Sequence, residues 1–93
     1  MIFFTVQVGA YNLEKSKDIV EEVRSQGDFI ESETPLGLTR FTVGEYKSRA
    51  EAEAKRKELK APGNLPNSKF IIVVGEYFGK YLTADEAQAL QKQ

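Results

Sequence analysis

One four-residue pattern, Val-Gly-x-Tyr, occurs three times in this chain. It begins at Val8, at Val43 and at Val74. Before the first copy, apolar and polar residues alternate from Phe4 onward, which is typical of a strand with one face toward a core. The first two copies are followed by segments with helical patterning. The repeat therefore predicts three strands that end alike, two of which lead into a helix.

The segments between the copies predict the element order βαββαβ. Strands are predicted over 4–11, 29–34, 38–44 and 70–74, and helices to about Gln26 and from Ser48 to about Lys60, with a loop over 61–68. This order favours an α+β, ferredoxin-like fold of the RNP type. We expect a four-stranded antiparallel sheet, two helices on one face, and a short C-terminal turn plus helix that opens with a capping box at Thr83.

Counting back from the glycine of each copy predicts which face each side chain takes. Gln7 and Arg40, from the first and third strands, become neighbours on the face away from the helices. The same count adds Thr5, Thr42, Ile71 and Val73 to this open face and turns Phe70, Ile72 and Val74 toward the core. An apolar patch on an open face is either covered by another part of the chain, such as the C-terminal tail, or binds a partner.

Length and composition restrict the class of protein. At 93 residues we expect one domain over 1–93, with pseudo-repeats at about 3–27 and 38–60 and a tail at about 77–93. The chain has no Cys and no His, so the usual zinc ligands and the commonest general base are absent. We therefore expect no catalytic residues, no metal and no cofactor.

The net charge of −1 argues against nucleic acid as a partner. The chain also lacks a long uncharged apolar run, so we expect no membrane insertion by this segment. Composition alone leaves the cellular compartment open.

Two segments resemble a known family. The stretch from Phe4 to Tyr11, followed by a helix, resembles the opening of a SPOR domain, the sporulation-related repeat. The stretch 39–46, followed by the helix start at 48–52, resembles the second repeat of that family. The tail from Gly79 to Leu90 is similar to the tails of SPOR domains from one branch of Gram-negative bacteria.

The resemblance implies a non-catalytic module that binds peptidoglycan, specifically glycan strands stripped of their stem peptides. Such strands concentrate at the division septum, so the module would localise a larger protein there, in the periplasm or cell envelope. Family members contact ligand on the open sheet face. The candidate glycan-binding residues on this reading are Gln7, Arg40, Thr42, Thr5, Leu38, Ile71 and Val73.

Two positions depart from the family pattern. Leu38 stands where some members have an aromatic residue, and Ala10 where some have a serine. Because sugar rings usually rest on aromatic faces, these departures affect affinity or ligand detail, although Phe29 or Phe3 could substitute for the missing aromatic residue.

Two other functions remain open at this stage. One is a regulatory or oligomerisation domain of the same fold, with Ile71 and Val73 in a dimer contact; we expect a monomer, with a dimer through the open sheet face as the alternative. The other is an RNA-binding module. That class stacks bases on aromatic residues of the central strands, where this chain has Gln7 and Arg40 instead.

Overall fold

The computed structural model describes residues 1–61, 63, 65–66 and 70–92, and most of these form five strands and three helices. The strands are β1 (Ile2–Tyr11), β2 (Ile30–Glu33), β3 (Thr39–Tyr46), β4 (Ile72–Tyr77) and β5 (Lys80–Thr83). The helices are α1 (Lys17–Ser25), α2 (Arg49–Lys60) and α3 (Ala84–Gln91). Part of the loop predicted over 61–68 lies outside the described residues. No helix in the described part of the chain is long and apolar enough to cross a membrane.

The strands form one antiparallel sheet in the order β2-β3-β1-β4-β5. Its first four strands have the ferredoxin-like arrangement, with β1 and β3 as central neighbours, so the predicted fold class is confirmed. The expectation of four strands is wrong, because β5 adds a fifth beside β4. Phe78 and Gly79 both have positive φ, 48° and 79°, and this tight turn returns the chain along β4.

Two irregularities interrupt the pairing of β1 with β3. Gln7 and Gly9 lie opposite the adjacent residues Thr42 and Phe41, so β1 holds one extra residue, Val8. Nearer the other end of the ladder, β3 holds the extra residue, at the segment that contains Gly44 with φ +84°. Such bulges bend a strand and increase the local twist of the sheet.

The core lies between the sheet and the helices. Its buried members are Phe4, Val6, Val8, Val20, Val23, Phe41, Ala52, Leu65, Ile71, Val73, Ala84 and Ala87. The inward residues of β1 and the inward Phe41 of β3 are as predicted. Both predicted helix starts are also confirmed: Ser48 accepts a hydrogen bond from the Glu51 backbone, and Thr83 and Glu86 form a full capping box.

The predicted facing of the fourth strand is wrong. Val73 lies opposite Val6 and is buried, and Ile71 is only 1% exposed, so both belong to the core. Ile72 lies opposite Gln7 on the open face, with 44% of its surface exposed. Phe70 is exposed as well, and Val74 shares the face of Thr5.

A missing bulge explains this reversal. In β1 the bulge allows both Val8 and Gly9 to face the core opposite Phe41. The ladder between β1 and β4 has no bulge, so only one of Val74 and Gly75 can face that side. Gly75 does, because it lies opposite Phe4. A shift of one residue turns every side chain of a strand to the other face.

Candidate functional site

The open face of the sheet is concave. The hydroxyl of Ser32 in β2 donates to the hydroxyl of Tyr81 in β5 across 3.4 Å, although β3, β1 and β4 lie between those strands in the sheet. Bulges such as the two between β1 and β3 introduce curvature into a sheet. The face away from the helices is therefore a groove whose two edges meet.

Gln7 and Arg40 lie together in this groove. The Arg40 Nε donates to Gln7 Oε1 at 2.8 Å, which confirms the predicted proximity of the two side chains. Both are half-buried, and they come from the two central strands, which fix their backbones rigidly. The pair presents amide and guanidinium groups, which are hydrogen-bond donors and an acceptor of the kind that binds polar ligands.

Tyr81 completes the cluster and was not identified from the sequence. The centroid of its ring lies 4.1 Å from the Arg40 Cζ, a distance at which a guanidinium and an aromatic face attract each other. One signal in the sequence could have found it. Phe78-Gly79 is a possible two-residue hairpin turn, and a hairpin there places Tyr81 opposite Glu76 on the open face.

The stacked Arg40 and Tyr81 border two cavities on the concave face. The outer groove has a volume of about 640 Å³ and is lined by Ser32, Glu33, Thr34, Pro35, Arg40, Gly79, Lys80 and Tyr81. The inner groove has a volume of about 380 Å³ and includes Gln7, Arg40, Ile72, Val74, Tyr81 and Thr83. Both volumes are in the range of ligand pockets in proteins.

Three of the remaining predicted site residues are placed less favourably. Thr5 and Thr42 are each only 2% exposed, and the Thr5 hydroxyl donates to the Val43 carbonyl oxygen at 3.1 Å within the sheet. Leu38 closes the β2–β3 turn, where its backbone N–H donates to Thr34 Oγ1. Leu38 does not line either groove.

Neither of the aromatic substitutes proposed for Leu38 lies beside the Gln7–Arg40 pair. Phe29 packs against the core. Phe3 is on the open face, opposite Glu76. Tyr81 is the aromatic residue that contacts the pair.

Arg40 differs from the other three arginines in its charge partners. Arg24, Arg49 and Arg56 each form a salt bridge, with Glu31, Asp85 and Glu53 respectively, at 2.7 to 2.8 Å. Within the described residues, Arg40 has no carboxylate within 4.0 Å, and the same is true of Lys80. Of these two cations, Arg40 lies on the open face, whereas Lys80, opposite Tyr77, shares the helix-side face of β5 with Leu82.

One acidic group borders the inner groove. The backbone N–H of Thr83 donates to Glu86, and this hydrogen bond holds the pKa of the Glu86 carboxyl below its usual value. Glu86 therefore serves to cap α3. In the part of the chain that is described, no group of three or more carboxylates is placed to hold a metal ion.

Comparison with protein families gives one match. Residues 2–75 match the family model described as SPOR domain. No curated protein and no solved structure matches the chain. The matched residues run from β1 to the middle of β4, so β5, with Lys80 and Tyr81, and α3 lie outside them.

Proposed function

Since this chain belongs to the SPOR domain family, whose domains bind peptidoglycan, we propose that its concave face binds denuded glycan strands, meaning strands from which the stem peptides have been removed. The observation that carries the proposal is the 2.8 Å hydrogen bond between Arg40 and Gln7 at the centre of that face. Both residues stand where the resemblance implies a glutamine and an arginine.

The groups in the groove suit a sugar polymer. Glycan rings present hydroxyl and acetamido groups around their edges and apolar C–H surfaces on their faces. Gln7 and Arg40 supply hydrogen-bond partners for the edges. Ile72, which is 44% exposed beside Gln7, and the half-buried Tyr81 supply apolar surface for the faces. Thr5 and Thr42 support the sheet beneath the pair rather than contact ligand.

The domain acts as a localisation device in this proposal. It carries out no chemistry itself. Denuded strands concentrate at the division septum, so binding them directs a larger protein to that part of the cell envelope, on its periplasmic side. We further propose that the domain is a monomer, because a dimer through the concave face would occupy the groove.

A sedimentation assay tests the proposal. Purified protein is mixed with intact sacculi or with sacculi treated with an amidase that removes stem peptides, and the bound fraction is measured. We expect stronger binding to the treated sacculi. Gln7→Ala should weaken this binding about tenfold, the loss of one hydrogen-bonding group to a charged cluster, with little change in unfolding free energy.

The matched control is Gln26→Ala, because Gln26 is exposed at the end of α1, away from the groove. It should bind as the wild type does. Equal retention of the wild type on both kinds of sacculi would contradict the specificity for denuded strands. Light scattering gives the oligomeric state, and a stable dimer would argue against the monomer.

A further inference from the structure

Phe78 has a conformation and an exposure that folding alone does not explain. It is the first residue of the two-residue turn between β4 and β5, and its φ of 48° is the only positive φ of a non-glycine residue in the described part of the chain. Such turns favour Asn, Asp or Gly, and a bulky side chain is strained there. Because the side chain is also 79% exposed, little burial offsets this strain. Strained residues of this kind cluster at functional sites.

Two further side chains extend the apolar surface around this turn. Tyr77 is 41% exposed and packs edge-on against Phe78. It faces the helix side of the sheet, since it lies two residues after the β4 glycine that α3 covers. Leu90, in the last turn of α3, is 40% exposed. The Gln91 amide donates to the carbonyl oxygen of Ile2, which lies opposite Tyr77, so this end of α3 is beside the turn.

The charged groups near the turn are divided between the two faces of the sheet. Lys80 lies opposite Tyr77 on the helix side, is exposed, and has no carboxylate within 4.0 Å among the described residues. Of the three carboxylates nearest to the turn in sequence, Glu76 is on the open face, Glu86 borders the inner groove and Asp85 is bound by an arginine of α2. The helix side of the turn therefore combines aromatic rings with a cation that no neighbouring anion neutralises.

We propose that Tyr77, Phe78, Lys80 and Leu90, together called the hairpin tip, dock on the surface of an anionic phospholipid bilayer. Aromatic side chains are favoured at the level of the lipid headgroups, and a lysine beside them reaches the phosphates with its ammonium group. The contact is with the bilayer surface, and no segment of the chain enters the hydrocarbon interior.

The shape of the hairpin tip favours a bilayer over a protein partner. In a protein interface, an aromatic anchor fills a pocket at the centre of a patch whose surrounding contacts exclude water. Phe78 instead lies at the end of a hairpin, where a two-residue turn offers little surface for such a surrounding ring. A layer of headgroups is deformable and closes around a single projecting ring.

The hairpin tip is separate from the glycan groove. Tyr77 and Lys80 face the helix side, whereas Gln7 and Arg40 face the open side, so both surfaces are accessible at once. All four residues of the tip lie beyond residue 75, outside the segment that matches the family. Under the proposed function, a domain bound to glycan near a bilayer would gain a second contact, which strengthens attachment through effective concentration.

Vesicle flotation with the full chain tests the proposal. Vesicles consist of phosphatidylcholine alone or have part of it replaced by phosphatidylglycerol, and the bound fraction is measured at low and at high salt. We expect weak, reversible binding that is stronger on the anionic vesicles and falls as salt is added. Lys80→Gln should reduce the preference for the anionic vesicles.

The decisive variant is Phe78→Asn. It should lower binding to the anionic vesicles about fivefold, because it removes the most exposed apolar ring of the tip. The same change should raise the midpoint of thermal unfolding, since asparagine adopts positive φ more readily than phenylalanine. Weaker binding by a more stable protein excludes unfolding as the cause.

Two matched controls are available. Leu36→Asn changes an apolar side chain that is 87% exposed in the β2–β3 turn, where residues 33–38 include Glu33 and no cation. Lys17→Gln removes an exposed lysine at the start of α1. Both variants should bind the anionic vesicles as the wild type does. A loss in Leu36→Asn as large as in Phe78→Asn would show non-specific contact and overturn the proposal.

The failure of this proposal is distinguishable from that of the proposed function. Absence of wild-type binding to the anionic vesicles, or equal binding by Phe78→Asn, would overturn the bilayer contact and leave glycan binding untouched. Phe78→Asn should bind amidase-treated sacculi as the wild type does. If it lost that binding and kept its binding to vesicles, the tip would belong to the glycan site and the proposal would be wrong.

Discussion

Tyr11 and Tyr46 each cover a glycine that lies two residues earlier in the same strand. A Cβ added to Gly9 or to Gly44 would overlap the ring of that tyrosine. The Tyr11 ring also reaches Phe41 in the next strand, with ring centroids 6.1 Å apart. The repeated Gly-x-Tyr is therefore a packing unit, in which a bare backbone is covered by an aromatic ring.

We expect Gly44→Ala to destabilise the fold more than Gly37→Ala does. Both glycines have similar positive φ, +84° and +80°, so alanine is strained by roughly 1–2 kcal/mol at either position. Only Gly44 is also covered, since nothing lies within 4 Å of a Cβ at Gly37. The overlap with Tyr46 should add about 1–3 kcal/mol, measured by urea unfolding. Equal losses for the two variants would show that the ring moves aside freely.

Arg24 and Glu31 give the stability a component that depends on pH. Two hydrogen bonds, of 3.0 and 2.7 Å, join the guanidinium to the carboxylate, and they hold the pKa of Glu31 below its usual value. A lowered pKa in the folded state means that the pair stabilises the fold above the unfolded pKa, about 4.3, and that this contribution is lost as the pH falls.

We expect Glu31→Gln to lower the unfolding free energy at pH 7 by no more than about 1 kcal/mol, since both side chains are substantially exposed. As the pH falls through the lowered pKa of Glu31 in the folded state, the difference between variant and wild type should vanish. Glu22→Gln, at an exposed position of α1, is the control. A difference that is the same at pH 7 and at pH 3 would rule out the ion pair as its cause.

Of the site itself, the sequence predicts the half that lies on β1 and β3, the two longest strands. Gln7 and Arg40 could be placed together because β1 and β3 alternate clearly and repeat one pattern. Tyr81 could not, since its contact with Arg40 depends on how far the sheet curls. Curl is a cumulative effect of bulges and twist, and it leaves no mark in the local alternation of residues.

The third copy of the pattern, in β4, packs against a different part of the molecule from the first two copies. A Cβ on Gly75 would overlap Ala87 of α3, so a helix and not the tyrosine covers this glycine. Tyr77 is exposed and packs edge-on against Phe78, with ring centroids 4.6 Å apart. In β4 the same sequence pattern therefore allows a helix to pack close to the sheet.

Ala87→Leu should separate α3 from the sheet. Ala87 is fully buried at the closest approach of the helix to β4, and extra methylenes there should cost about 1–3 kcal/mol of unfolding free energy. Ala89→Leu, at an exposed position of the same helix, makes the same chemical change and should have little effect. Thermal unfolding measures both. Similar midpoints for the two variants would contradict the close contact.

The predicted strands and helices are confirmed where alternation and capping signals are strong. The predicted facing of side chains is wrong in β4, where the pairing register decides which face each side chain takes. β1 and β3 alternate clearly, and α2 and α3 begin with capping residues that the structure confirms. α1 is predicted by its apolar stripe, since Ser16 makes no side-chain capping hydrogen bond. In β4, a run of five apolar residues from Phe70 to Val74 fits either facing equally well. The pairing with β1 chooses between them. β5 has only four residues, too few for alternation to distinguish it from a turn.

The molecule as a whole is larger than the segment that matches the family. The chain after residue 75 contributes β5 and α3, whose Ala84 and Ala87 are buried and whose Leu82 packs against the core. Without these elements, β4 would become an exposed edge, and Gly75 would lose the helix that covers it. The matched segment therefore depends on residues that follow it.

We expect a fragment of residues 1–75 to be unstable. Losing the burial of Leu82, Ala84 and Ala87, together with the pairing of β5, should lower the unfolding free energy by at least about 3 kcal/mol. Circular dichroism during urea titration measures this. The control is removal of residues 92 and 93 alone, which follow α3. A fragment 1–75 as stable as the full chain would contradict the expectation.

The contact between the two edges of the sheet also bears on how fast a ligand can enter the groove. Ser32–Tyr81 and Arg40–Tyr81 are a long hydrogen bond and a partly exposed stacking contact, together worth about 2 kcal/mol. If parting the edges costs only these two contacts, we expect roughly 3% of molecules to have the edges apart at any instant. Under the proposed function, a glycan strand with no free end nearby would enter only during those moments. Its capture rate would then be set by how often the edges part, whereas a short oligosaccharide would be captured as fast as it diffuses in.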